Sequence, residues 1–97
     1  MIRHLVVLKW NEGVNDAHIA ATRVGLDRLP NLIPEILSFD HGSDLRAVPG
    51  TWDYAVSADF ASIDDFMTYR EHPEHQRFVQ ECLTDHCQRF AVQFNLD

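Results

Sequence analysis

Three segments of the chain alternate apolar side chains with other residues at the period of two that is typical of β-strands. They cover Ile2–Trp10, residues 52–60 and residues 89–96. Ile2–Trp10 has apolar residues on both faces, which indicates an interior strand that is covered from two sides. A shorter segment, residues 36–41, predicts another strand and leads into a loop that is rich in turn residues.

Between these strands, apolar residues recur at the spacing of an α-helix. The first helix is expected to begin at Asn15 or Asp16, because either side chain can cap it. Pro30 and Pro34 are expected to interrupt it, because proline lacks the N–H that a helix interior needs. Its buried stripe consists of Ile19, Leu26, Leu29 and Ile33.

Two further helices are predicted on either side of the His72-Pro73 pair. Ser62 and Asp65 resemble a capping box, which opens the earlier of these helices. His72 and Pro73 end it, and Pro73 also suits the first turn of the next helix. That next helix has one apolar face, which is formed by His75, Phe78, Val79, Cys82 and Leu83.

The predicted order of elements is βαββααβ, within one domain that spans residues 1–97. Strands and helices in this order favour an α+β, ferredoxin-like fold with a four-stranded antiparallel sheet and its helices on one face. Nothing in the chain remains to cover the other face. Since a domain this small also buries little surface by itself, a homodimer is the expected partnership.

Composition excludes several classes of function. The chain has 15 acidic and 8 basic residues, and the basic ones are scattered, so no nucleic acid is expected as a partner. No apolar run approaches the length that spans a membrane, and the N-terminus lacks a signal-peptide pattern. Cys82 and Cys87 are too few for a disulfide framework, which favours a reducing, cytoplasmic location.

Several motifs together resemble the stress-responsive A/B barrel family, called Dabb. The most specific is a Tyr-x-x-His-Pro-x-His block, combined with a histidine early in the first strand. The resemblance runs nearly from end to end and rests on residues 3–10 (RHLVVLKW), Ile33-Pro34, Phe39 before His41-Gly42, and residues 69–75 (YREHPEH). It implies that two four-stranded sheets pack back to back as a dimeric α+β barrel.

The resemblance also implies a candidate site. A plant member of the family folds a linear polyketide thioester by intramolecular aldol condensation, and its catalytic positions match His4, Tyr69 and His75 here. A further tyrosine that lines the plant enzyme's pocket corresponds to Leu26, so the plant substrate is not implied.

The chemistry of these residues suits proton transfer at a carbon atom. Histidine can remove a proton beside a carbonyl near neutral pH, and His75 lies on the apolar stripe of its helix. Tyr69 could stabilise the resulting enolate, and His4 could orient the base or hold the carbonyl. The structural alternatives are two core histidines bonded to backbone carbonyls and a tyrosine packed at a helix end.

The remaining histidines and the tryptophans are given structural roles. His72 is expected to cap or end a helix. A metal site from His4, His72 and His75 is the less favoured alternative, since no carboxylate accompanies them, and no cofactor is expected. Surface or loop positions are predicted for His18, His41 and His86, and packing at strand ends for Trp10 and Trp52.

Two functions remain open at this point. The first is a small-molecule pocket with cofactor-independent acid/base chemistry, lyase-like or like a polyketide cyclase, on a carbonyl compound. The second is a non-catalytic, stress-responsive binding or structural dimer, in which the same histidines stabilise the barrel. Chemistry on aromatic substrates or haem, as in distant dimeric barrels, has little support in the sequence.

Overall fold

A four-stranded antiparallel sheet forms one layer of the molecule and helices form the other, which confirms the α+β, ferredoxin-like prediction. The computed structural model describes residues 1–97. The strands are β1 (Ile2–Trp10), β2 (Ser38–Ser43), β3 (Tyr54–Phe60) and β4 (Cys87–Asn95). The helices are α1 (Asp16–Leu32), α2 (Ile63–Glu71) and α3 (Pro73–Phe78), which continues into a π-helical segment, Val79–Leu83.

β1 lies inside the sheet, in the strand order β2-β3-β1-β4, as the apolar residues on both of its faces predict. Its register places His4 opposite Ala58 of β3 and Gln93 of β4. Residues that are directly paired project to the same face of a sheet. His4 and Gln93 therefore share the face on which the helices pack, and Gln93 does so from an edge strand.

The hydrophobic core lies between this face and the helices. Leu8 and Tyr54 of the sheet and Leu29 of α1 are almost fully buried in it. Gly25 allows α1 to approach α3 closely, because a Cβ atom at this position would lie 2.8 Å from Cδ1 of Phe78. The close approach of these helices places Phe78 against the core.

The helix starts follow the predicted capping pattern. The Asn15 side chain accepts a hydrogen bond from the backbone N–H of His18 at 2.9 Å, and Ser62 accepts one from Asp65 at 3.2 Å. His72 ends α2 and caps α3, where its Nδ1 accepts from the N–H of Glu74 at 3.1 Å. The structural role predicted for His72 is confirmed.

The predicted interruption at Pro30 is wrong, because α1 continues through this residue to Leu32. Proline costs a helix one hydrogen bond, but here it lies in the last turn. Leu29 and Ile33 on either side are 2% and 0% exposed, and the N–H of Ile33 donates to the carbonyl of Leu29. Burial of this turn outweighs the lost bond.

Three strand boundaries also differ from the sequence analysis. β2 covers Ser38–Ser43 rather than residues 36–41, because its pairing with β3 extends to Ser43 opposite Tyr54. β3 begins at Tyr54 rather than at Trp52, and β4 covers Cys87–Asn95 rather than residues 89–96. Strand ends are fixed by the neighbouring strand's hydrogen bonds, which periodicity within a segment does not contain.

The second face of the sheet has no helix against it. Val7 of β1 and three residues of β4, Phe90, Val92 and Phe94, are between 41% and 68% exposed there. An apolar surface of this kind marks an interaction site in a folded protein. Separately, no helix of the chain is both long and apolar enough to cross a membrane.

Candidate functional site

A cavity of about 530 Å³ lies between the sheet and the α2–α3 corner, and most of its wall is apolar. It exists because the edge strand β4 turns short or polar residues, Ala91 and Gln93, toward the helices where a core would need large apolar ones. The volume falls within the range of about 300–1,000 Å³ that is typical of small-molecule sites. Its polar wall consists of His4, Tyr69, Arg70, His75, Gln76, Arg89 and Gln93.

His4 is held in the inner wall of the cavity by β1. It is 8% exposed, its ring lies 4.8 Å from that of Phe66, and its Nδ1 is 2.8 Å from Nε2 of Gln93. Burial, and to a smaller extent the neighbouring His75, lower the pKa of His4 to about 4. His4 is thus neutral at pH 7. With the Gln93 amide nitrogen as donor, its Nε2 carries the hydrogen.

His75 is presented by the first turn of α3. Its Nδ1 lies 3.0 Å from the backbone carbonyl of Arg70, an oxygen that can only accept, so Nδ1 carries the hydrogen. Burial lowers the pKa of His75, and the hydrogen bond to Arg70 opposes this in part. The neutral ring therefore keeps an unprotonated Nε2, which is the form that a general base requires.

Tyr69 lies between the two histidines. Its ring centroid is 4.3 Å from that of His75 and 6.2 Å from that of His4. The residue is 3% exposed, and burial raises the pKa of its hydroxyl, so the phenol stays protonated. No hydrogen bond within the chain uses the Tyr69 hydroxyl. Among the fully enclosed polar side-chain atoms, only Nε1 of Trp10 lacks a partner, so the Tyr69 hydroxyl is not enclosed and is open to the cavity.

The structure thus brings all three sequence-predicted site residues, His4, Tyr69 and His75, to one cavity. Their catalytic role stays a prediction. Leu26, which takes the place of the plant enzyme's tyrosine, is 2% exposed and contributes an apolar part of the wall. The wall at this position offers no hydrogen bond.

Four polar residues of the site were not predicted from the sequence. Gln93 bonds to His4, and Gln76 donates to the same Arg70 carbonyl as His75, at 2.7 Å. Arg70 and Arg89 also line the cavity. The alternation of β4 contained a signal for two of them, because Arg89 and Gln93 are out of phase with its exposed aromatic residues and thus share the face of His4.

The prediction that His41 is a surface or loop residue is wrong. His41 lies in β2, and its side chain is 9% exposed. Its Nε2 donates to the carboxylate of Asp27 on α1 at 2.7 Å, and its Nδ1 is 2.7 Å from the hydroxyl of Tyr54. This chain of bonds ties α1 to the sheet outside the cavity.

His18 and His86 form a second pair away from the cavity. His18 lies in α1 rather than in a loop, and its ring stacks on that of His86 at 4.0 Å. Both are half-buried, and each ring donates to a backbone carbonyl, of Cys82 and Thr84 respectively. Their geometry is that of structural histidines satisfied by the backbone.

The tryptophans and the cysteines also lie outside the cavity. Trp10 packs against His18 and Tyr54, and Trp52 packs against Phe90, as the packing prediction states. Cys82 belongs to the core cluster. No group of three or more His, Cys, Asp or Glu side chains is arranged to hold a metal ion.

Fold and cavity together define a class of protein, the ferredoxin-like α+β domain with a pocket between its sheet and its helices. Within this class, the model of the family described as stress responsive A/B barrel domain, Dabb, matches residues 2–96. The chain belongs to that family.

Relatives agree with this assignment. An uncharacterised protein of Streptomyces coelicolor is 30% identical over 81 residues, which cover 81% of this chain and 84% of that protein. A dimeric ferredoxin-like protein of unknown function from Thermobifida fusca has a TM-score of 0.90 at 35% identity, covering 98% of this chain and 90% of its own. The hydroxynitrile lyase of Passiflora edulis shares the fold, with a TM-score of 0.87 at 19% identity, covering 99% of this chain and 93% of its own.

Proposed function

We propose that the protein is a homodimeric enzyme that performs cofactor-independent acid/base chemistry on a small carbonyl compound, in the manner of an aldol cyclase or lyase. The observation that carries the proposal is that His4, Tyr69 and His75 line one mostly apolar cavity of about 530 Å³. A small-molecule role also agrees with the fold shared with a hydroxynitrile lyase.

The proposed reaction begins at His75. Its Nε2 takes a proton from a carbon beside the substrate carbonyl, and the electron pair of that C–H bond moves to form an enolate. The hydroxyl of Tyr69 and the Nε2–H of His4 donate to the enolate oxygen, on which the negative charge develops. Both donors are neutral at pH 7. Burial raises the pKa of the Tyr69 hydroxyl, which keeps its proton, and lowers the pKa of the His4 imidazolium, which leaves the ring uncharged.

The enolate carbon then attacks a second carbonyl of the same molecule, and a carbon–carbon bond forms. The oxygen of this second carbonyl takes the proton from the His75 imidazolium, which returns the base to its neutral state. The reverse sequence cleaves a β-hydroxy carbonyl compound, so one site supports cyclase and lyase directions. The carbonyl of Arg70 keeps His75 in the required tautomer, because it accepts the Nδ1 hydrogen throughout.

Exchange of carbon-bound hydrogen tests the first step without knowledge of the physiological substrate. Incubation with 4-phenylbutan-2-one in D₂O, followed by NMR, should show deuterium entering beside the carbonyl faster than in buffer alone. His75→Gln should slow this exchange by about 10²-fold or more, because the general base is lost. Tyr69→Phe should slow it by about 10²-fold, because a donor to the enolate is lost.

His86→Gln is the matched control, because His86 is a half-buried histidine outside the cavity. It should leave the exchange rate unchanged. The ketone concentration is set so that chemical-shift changes show the cavity to be occupied. Exchange no faster than in buffer under this condition would contradict the proposed chemistry.

A non-catalytic binding dimer is the second candidate, and one observation favours it. Leu26 gives the cavity an apolar wall at the position where the plant cyclase of the family has a polar tyrosine. This candidate predicts saturable binding of the ketone without any exchange, so the same experiment separates the two functions.

A further inference from the structure

The charge of the cavity is opposite to that of the molecule. The chain has 15 acidic and 8 basic residues and a net charge of −7. No aspartate or glutamate lines the cavity, whereas Arg70 and Arg89 both do. Random placement of charges in so acidic a chain would favour the reverse.

Both of these arginines lack a carboxylate partner. The ion pairs of the structure use Arg3, Arg46 and Arg77 and leave out Arg70 and Arg89. No hydrogen bond within the chain uses either guanidinium group, although the backbone carbonyl of Arg70 accepts from His75 and Gln76. All of their donors are thus free for another molecule.

The two arginines come from different layers of the fold. Arg70 lies in the last turn of α2, and Arg89 lies on β4 opposite Leu8 of β1, whose side chain is in the core. Both residues are exposed, so they belong to the mouth of the cavity rather than to its floor. Both charges also lower the pKa of His75, which agrees with the place of the two arginines in the wall of the same cavity.

We propose that the cavity binds an amphipathic molecule whose anionic oxygen-bearing group, a carboxylate or a phosphate, is held between Arg70 and Arg89. The apolar body lies inward, against the buried side chains of Leu26, Phe66 and Phe78. Guanidinium groups suit this role, because their fixed donors match the oxygens of either anion. This inference rests on the proposed function for its site and names the class of substrate, an acidic carbonyl compound.

Three ligands of one shape test the proposal by calorimetric titration of the full chain: 4-butylbenzoate, 4-butylphenyl phosphate and the neutral 4-butylbenzamide. At least one anion should bind about tenfold or more tightly than the amide, since hydrogen bonds to charged groups contribute that much. The anion that binds more tightly shows whether the site prefers a carboxylate or a phosphate. Equal affinity of all three ligands would overturn the proposal.

Arg70→Gln and Arg89→Gln should each weaken binding of the preferred anion by about tenfold and leave the amide within about twofold. Both variants keep the backbone carbonyl that orients His75. Arg28→Gln is the matched control, because Arg28 is exposed, has no ion pair and does not line this cavity. An equal loss of anion affinity in Arg28→Gln would show a general effect of net charge and overturn the site.

The outcomes also separate this inference from the proposed chemistry. His75→Gln should keep the preference for the anion, since the arginines remain, although it slows the exchange of carbon-bound hydrogen. Anion selectivity without hydrogen exchange in the native protein contradicts the catalytic proposal alone. Hydrogen exchange without anion selectivity contradicts this inference alone.

Discussion

Single residues of the cavity show how burial sets protonation. His4 is 8% exposed, and burial is the main cause that lowers its pKa to about 4. His75 is half-buried, and its pKa is lowered for the same main reason. Low dielectric surroundings disfavour the charged form of an imidazole. Two neutral histidines therefore face one cavity at pH 7, one as a donor and the other as an acceptor.

The lowered pKa of His4 predicts a pH dependence of stability. The pKa is about 4 in the folded protein and 6.5 at its ordinary value, so unfolding takes up a proton between these pH values. The contribution of His4 to stability is complete above pH 6.5 and decreases as pH falls toward 4. His4→Gln should reduce this decrease, measured by urea unfolding at a series of pH values and fixed protein concentration.

The part of the decrease that remains in His4→Gln is expected to come from His75 and, near pH 4, from Asp44, Asp53 and Asp59, whose pKa values are also lowered. A stability profile of His4→Gln with the full wild-type slope would show that His4 does not carry the effect.

At the scale of elements, the site depends on the break between α2 and α3. Pro73 cannot donate to the preceding turn, and His72 caps the new helix. The change of direction allows Tyr69, at the end of α2, to contact His75, in the first turn of α3, with 4.3 Å between ring centroids. A continuous helix would place residues six positions apart on different faces.

Two tyrosines on different elements predict opposite effects of the same substitution. The Tyr54 hydroxyl bonds to His41, which in turn bonds to Asp27, whereas the Tyr69 hydroxyl has no partner within the chain. Tyr54→Phe should lower the free energy of unfolding by about 1–2 kcal/mol, because it leaves a buried nitrogen without its partner. Chemical denaturation measures this change in the free energy of unfolding.

Tyr69→Phe is the matched comparison for Tyr54→Phe. It should change the free energy of unfolding by no more than about 0.5 kcal/mol, since it breaks no bond of the chain. It should nevertheless slow the exchange of carbon-bound hydrogen in the ketone. An equal loss of stability in both variants would mean that the Tyr69 hydroxyl has a structural partner.

For the whole molecule, the uncovered face of the sheet is the dominant feature. Val7 lies at its centre, between Phe90 of β4 and Ala55 of β3, and the relative from Thermobifida fusca is a dimer with this fold. A second copy that packs on this face would remove the exposed aromatic residues of β4 from water. Such burial is the driving force for association.

Val7→Glu is expected to convert the dimer to a monomer, because it places a charge at the centre of an apolar interface. Light scattering coupled to size-exclusion chromatography measures the mass. Val24→Glu is the control, because Val24 is exposed to a similar degree, 48% against 41%, but lies on α1. A dimeric Val7→Glu, or a monomeric Val24→Glu, would place the interface elsewhere.

Much of the fold could be predicted because its signals are local. Periods of two and of 3.6, together with the capping residues Asn15, Ser62 and His72, depend on neighbours in the sequence, and they give the correct element order. The end of α1 and the bounds of β2 depend on burial and on pairing with distant residues. Predictions that depended on such distant contacts failed, as at Pro30 and at Ser43.

By itself, the sequence determined the element order, the uncovered sheet face, and His4, Tyr69 and His75 as candidate residues, because side-chain pattern and the His-Pro block are properties of short segments. Only the tertiary structure decided that these three share a cavity with Arg70, Arg89 and Gln93, and that His41 is tied to Tyr54 and Asp27. The register of an edge strand and the packing of two helices bring these groups together. Such contacts join residues up to 89 positions apart, as His4 and Gln93 are.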